Sequence, residues 1–170
     1  MSWFLLPADR PDLPRFLMAE VMVMAIANAA MTLMVSVLTF ADRAAVPVWE
    51  SGGLAVDLIP TTVVAVALIS LTATPAVRLR VRAGKAPAVG QSNLGRLVRF
   101  MPRHLLARTP ILCVLSFVLF VPTAVGLLRL AGWEVLPLPA VLALKAAYGA
   151  LLGAAFGPFV VLPAACRATV

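Results

Sequence analysis

Four long apolar stretches divide the chain, and each is long enough to predict a helix that crosses a membrane. They run from about Phe16 to Phe40, Leu54 to Val77, Pro102 to Leu128 and Leu138 to Leu162. At about 1.5 Å per residue, each covers the roughly 30 Å of bilayer hydrocarbon with some tilt. The expected fold class is an all-α integral membrane protein whose four transmembrane helices form two tandem parallel helical hairpins. Within this single membrane domain, the first hairpin is expected over residues 13–82 and a cytoplasmic basic linker over 83–95. The second hairpin then occupies residues 96–165.

Composition agrees with the pattern. Of the 170 residues, 62% are hydrophobic and 12% are charged, where a soluble domain carries roughly 25% charged residues. That is too little charge to cover a water-facing surface. The first apolar run also passes Ala27-Asn28-Ala29, which mimics a signal cleavage site, and Glu20 interrupts the would-be signal core. A retained span is therefore expected rather than a cleaved leader.

Charge sets the orientation. Arg78, Arg80, Arg82, Lys85, Arg96, Arg99, Arg103 and Arg108 follow one another with no Asp or Glu between them. The 41–53 loop has Arg43 as its single basic residue, and the turn between spans three and four has Arg129. Positive charge accumulates on the cytoplasmic side, which puts the central linker and both termini in the cytoplasm of a bacterial inner membrane. A basic segment between two spans points to anionic lipid of the cytoplasmic leaflet rather than nucleic acid. The expected contacts are Arg78, Arg80, Arg82, Arg96, Arg99 and Arg103. Arg96 to Met101 mixes basic and apolar residues, as a stretch lying on the lipid surface does. Trp49 and Trp133 fall at the opposite interface, where amphipathic rings anchor.

A weak internal repeat accompanies the topology. Arg15-Phe16 recurs as Arg99-Phe100, and Trp49-Glu50 as Trp133-Glu134, both 84 residues later. The matched pairs are expected at equivalent places, the inner end of a first helix and an outer turn. That frame starts span three near Pro102 and makes Arg103, His104 and Arg108 snorkelling residues of its first turns.

Polar side chains inside the spans are costly, so each is a candidate for function. Lys145 lies about two turns inside span four and Asp57 about one turn inside span two, both from the outer end. A lysine stem can bridge that difference in depth. Such a pair would either fix helix register or form part of an ion path. Span one carries Glu20, Asn28, Thr32 and Ser36 on one slowly drifting face, with Met24 filling the row. That stripe faces protein or water. In span four, Gly149, Gly153 and Gly157 are spaced by four, the pattern that lets another backbone approach closely. The partner is another span or another subunit. Pro60, Pro75, Pro122 and Pro158 are expected to kink or end their helices.

No phosphate loop, nucleophile elbow or paired-histidine site is present, and His104 is the single histidine. Cys113 and Cys166 are isolated thiols. No catalytic residue, cofactor or metal is expected. Asn28, the Trp49 turn, Pro60 and Pro75-Ala76-Val77-Arg78 together resemble a family of small bacterial two-helix membrane proteins known as a domain of unknown function. The resemblance covers about half the chain, and Asp57 departs from the family's pattern. It implies a membrane hairpin and no activity. The expected function is a non-catalytic accessory or structural subunit, packing through span four as a homo-oligomer or in a larger complex. The alternative is a small oligomeric channel or transporter with Lys145, Asp57 and the span-one stripe lining its path.

Overall fold

The computed structural model describes residues 12–87, 102 and 104–166. Helix α1 (Asp12–Phe40) leads through strand β1 (Ala45–Pro47) to helix α2 (Leu54–Arg82). Helix α3 (Leu105–Leu130) leads through strand β2 (Val135–Pro137) to helix α4 (Leu138–Cys166). All four helices are long and apolar enough to cross a membrane. The basic linker from residue 88 onward, with Arg96, Arg99, Arg103 and the Arg96–Met101 stretch, lies outside the described residues.

The prolines do not end the helices. Pro60 and Pro75 lie within α2, Pro110 and Pro122 within α3, and Pro158 and Pro163 within α4. Proline removes one N–H and rejects one carbonyl, yet in apolar surroundings every other arrangement would leave more backbone unsatisfied. Accordingly α2 continues past Val77 and carries Arg78, Arg80 and Arg82 on its last turns. The start of α3 is Leu105, with His104 as its N-cap, rather than Pro102.

The two helices joined by each strand-bearing turn are not each other's main partners. The most extensive contact joins α1 to α4, α2 packs on both α3 and α4, and α1 touches α2 lightly. Helices α2 and α4 thus form the middle, with α1 laid on α4 and α3 laid on α2. Accordingly α4 is the most enclosed helix, while α1 and α3 are the least.

The two turns are tied together at one end. Strands β1 and β2 pair antiparallel, Ala45 opposite Pro137, Val46 opposite Leu136 and Pro47 opposite Val135. Val48 N–H donates to Glu134 O at 2.8 Å and Leu138 N–H to Ala44 O at 3.1 Å, extending the ladder at both ends. Val46, Val48 and Leu136 are buried beneath it. Gly53 closes the turn into α2 because a Cβ there would lie 2.5 Å from Pro47 O and 2.9 Å from Glu50 O.

This end also corrects the expected repeat frame. Helices α2 and α4 begin at 54 and 138 and end at 82 and 166, 84 apart, whereas β1 and β2 begin at 45 and 135, 90 apart. Trp49 therefore follows its strand and Trp133 precedes its own, so the two are not equivalent. They meet instead: Trp49 Nε1 donates to Trp133 O at 3.0 Å, and the Arg129 guanidinium lies 5.4 Å from the centre of a Trp49 ring.

The distribution of polarity is inverted relative to a water-soluble domain. Met18, Met22, Ile26, Leu106, Val118 and Leu127 are among many large apolar side chains left exposed, while Glu20, Asn28, Arg108 and Lys145 are buried. Outward hydroxyls are turned back on their own helices: Thr39 donates to Val35 O, Thr72 to Leu68 O and Thr123 to Leu119 O.

Candidate functional site: the buried polar network

The interior polar groups gather in three places, set by which helices cross. At the end nearest the strands, α2 and α4 bring Asp57, Thr61 and Lys145 together. Lys145 is fully buried and forms an ion pair with Asp57, whose side chain keeps 16% of its exposure. The ammonium also donates to Thr61 Oγ1 at 2.7 Å. Thr62, the next residue of α2, donates to Leu58 O at 2.6 Å, so its single proton is used. Tyr148, 2.6 Å away, must then donate its own hydroxyl proton to Thr62. Asp57, Thr61 and Thr62 thus lie within two turns of α2, the first two meeting Lys145 of α4 and the third meeting Tyr148 of α4.

The second place is the α1–α4 seam. The glycine row of α4 meets α1 of the same chain, which answers the question the sequence leaves open. A Cβ on Gly149 would lie 2.5 Å from Thr32 Oγ1, and one on Gly153 would lie 2.6 Å from Met24 O and 2.8 Å from Ala25 Cα. Gly157 is looser, with Met24 Sδ at 3.3 Å and Val21 Cγ2 at 3.4 Å from such an atom. The polar stripe of α1 lies along this seam. Asn28 Nδ2 donates to Gly149 O at 2.7 Å, Thr32 to Asn28 O at 2.7 Å, and Ser36 to Thr32 O at 2.6 Å. Asn28 Oδ1 is buried with no hydrogen-bond partner. The stripe thus packs against protein, and its hydroxyls satisfy their own backbone.

The third place is the opposite end of the molecule. Glu20 of α1, mostly buried, is paired with Arg80 of α2, half of whose side chain is exposed. In the α2–α3 seam, Ser70 shares a 2.8 Å hydrogen bond with Thr109, whose proton goes to Leu105 O. Arg108 Nη2 donates to Thr74 Oγ1 at 2.6 Å. Arg108 is 1% exposed, so it turns inward and does not snorkel. An arginine one turn inside a helix reaches inward when a hydroxyl on the neighbouring helix offers a partner, and Thr74 does so here.

The structure therefore brings Lys145 and Asp57 together, places Asn28, Thr32 and Ser36 opposite the glycine row, and gives Glu20 to Arg80. It leaves Arg82 exposed and Arg78 partly buried on the last turns of α2. Sequence reasoning does not find Arg108, Thr62, Tyr148, Ser70 and Thr109 as interior polar residues. Their signal is present for α2, where Thr62, Ser70 and Thr74 lie at steps of eight and four on one face. No protein-family model, curated protein or solved structure matches the chain.

Proposed function

We propose that the chain is a non-catalytic, multi-pass protein of a bacterial inner membrane, acting as an accessory subunit of a larger membrane assembly. Its termini and basic linker face the cytoplasm, and the strand-paired turns face outward, as the asymmetry of Arg and Lys requires. What supports the subunit reading is that the carboxylates set between the helices are answered by cations of the same chain. Asp57 takes Lys145 and Glu20 takes Arg80, so the interior is occupied with holding helices together rather than left open to a solute.

The glycine row no longer serves as the docking face, because α1 fills it. A partner is received instead on the outward face of α1, where Met18, Met22, Ile26 and Met34 are exposed at helical spacing. Unbranched methionines adapt to an irregular apolar partner.

The test is purification of the tagged chain in mild detergent from its native membrane, with quantitative mass spectrometry. A stoichiometric membrane protein is expected, and Met22→Trp with Ile26→Trp should release it without lowering the chain's melting temperature. A chain that purifies alone, and that drives an ion flux in liposomes lost on Lys145→Met, would replace this reading with the channel one.

A further inference from the structure

Among the described residues, the α2–α3 seam ends in a cation with no carboxylate partner. Arg78 lies one turn beyond Thr74, in the row Ser70–Thr74–Arg78 that faces α3 through Thr109 and Arg108. Its Nε is buried and has no hydrogen-bond partner. Among the described side chains, Glu20 is the one carboxylate at this end of the bundle, and Arg80 occupies it. Asp42, Glu50, Asp57 and Glu134 all belong to the other end, near the strands. A partly buried guanidinium without an anion is expensive, and its planar fork matches the oxygens of a phosphate.

The surroundings say what kind of phosphate. Leu79, next to Arg78, is 66% exposed, and Leu106, on the first turn of α3, is 81% exposed. An anion arriving here therefore sits between a cation and apolar side chains turned outward on both helices. From these placements we infer that the inner end of the α2–α3 seam is a site for one anionic phospholipid. Arg78 takes the phosphate, and Leu79 and Leu106 lie along the acyl chains. This rests on the membrane-spanning reading above, and not on the existence of a partner subunit.

The experiment is native mass spectrometry of the full chain released from nanodiscs of phosphatidylglycerol or of phosphatidylcholine. One retained phosphatidylglycerol per chain is expected, with retention of phosphatidylcholine far lower. Arg78→Gln should lower phosphatidylglycerol retention about tenfold, the scale of losing a charge-assisted hydrogen-bonded contact. Arg78→Lys, which keeps the charge and loses the fork, should fall between. Lys85→Gln, which removes a charge from the same end, should change retention less than twofold. Melting temperatures within a few degrees of the parent's show that the variants are folded. Equal loss in the Lys85 and Arg78 variants, or equal retention of the two lipids, overturns the site in favour of a diffuse basic surface. Inorganic phosphate at millimolar concentration should not displace the lipid, and displacement would reassign the site to a free anion. A chain that does not enter nanodiscs at all overturns the membrane-spanning reading itself, a result distinct from loss of lipid selectivity.

Discussion

Lys145 of α4 donates a hydrogen bond to Thr61 of α2, the residue that stands 84 positions earlier and at the same place in its own helix. The two central helices therefore cross with equivalent positions facing each other, and the cluster around that crossing fixes their register. Asp57 supplies the negative charge one turn away on α2, where a carboxylate in the first turn also suits the helix dipole. A sliding or rotation of α4 against α2 would strand the lysine among apolar side chains. The cluster is thus a device for uniqueness at least as much as for stability.

From this follows an asymmetry between the two partners. Asp57→Asn leaves a fully buried ammonium without its anion, and should cost about 3 kcal/mol, the scale of breaking a buried pair. Lys145→Met keeps the stem volume and leaves the partly exposed Asp57, so its cost should be smaller, about 1 kcal/mol. Unfolding of the purified variants in detergent measures both. Equal losses would mean that the pair is solvated and does not set the register.

The glycine row yields a second expectation, because it is satisfied within the chain. Gly153→Ala puts a methyl 2.6 Å from the Met24 carbonyl, a backbone atom that cannot step aside. Destabilisation of about 1–3 kcal/mol is expected, as for overpacked cores. Gly157→Ala meets the end of the flexible Met24 side chain and should stay within about 0.5 kcal/mol. Thermal unfolding ranks the variants, and light scattering should find their oligomeric state unchanged. A Gly153 variant that alters association while keeping its stability would return the row to an interface between chains.

Much of this is legible in the sequence because membrane physics leaves few choices. Apolar length fixes the four helices, and the cost of isolated charge in lipid makes a Lys145–Asp57 pair an expectation from depth alone. The row of Gly149, Gly153 and Gly157 announces a close approach, but spacing says nothing of which helix arrives. That choice depends on how the two turns dock, and the docking rests on strands of three residues each. Ala45–Pro47 and Val135–Pro137 are too short for alternation to signal them, and each contains a proline. Arg108 illustrates the second gap. Its place near the helix start suggests snorkelling, whereas the side chain turns inward and donates to Thr74 across the seam.

Asn28 separates two explanations for a polar residue at mid-span. Its Nδ2 holds Gly149 O, while its Oδ1 is buried and unmatched. Removing both groups at once forfeits one hydrogen bond and relieves one desolvated acceptor, so Asn28→Leu should cost less than about 1 kcal/mol. Asn28→Asp keeps the shape but replaces the amide donor with acceptors facing a carbonyl, and should be much the worse of the two. Yield of folded protein from the membrane and its melting temperature give the order. The reverse order would show that Oδ1 serves a bound species rather than standing as a cost of packing.

The exchange of partners between the two halves of the chain predicts how it behaves when cut. Helix α1 is held by α4, α3 is held by α2, and the strands join across the halves rather than within them. Apart from the Glu20–Arg80 pair within the first half, the described polar contacts between helices run from one half to the other: Asn28 on Gly149, Asp57 and Thr61 on Lys145, Thr62 on Tyr148. The covalent linker is therefore dispensable once the fold has formed. A protease site placed at Gly90 and cleaved in mild detergent should give two fragments that elute together on size exclusion at the parent's volume. Cleavage of a Gly153→Leu variant should let them separate, because its side chain drives α1 away from α4. Separation of the parent's fragments on cleavage alone would mean that each half holds its own helices and that the contacts between halves are weak.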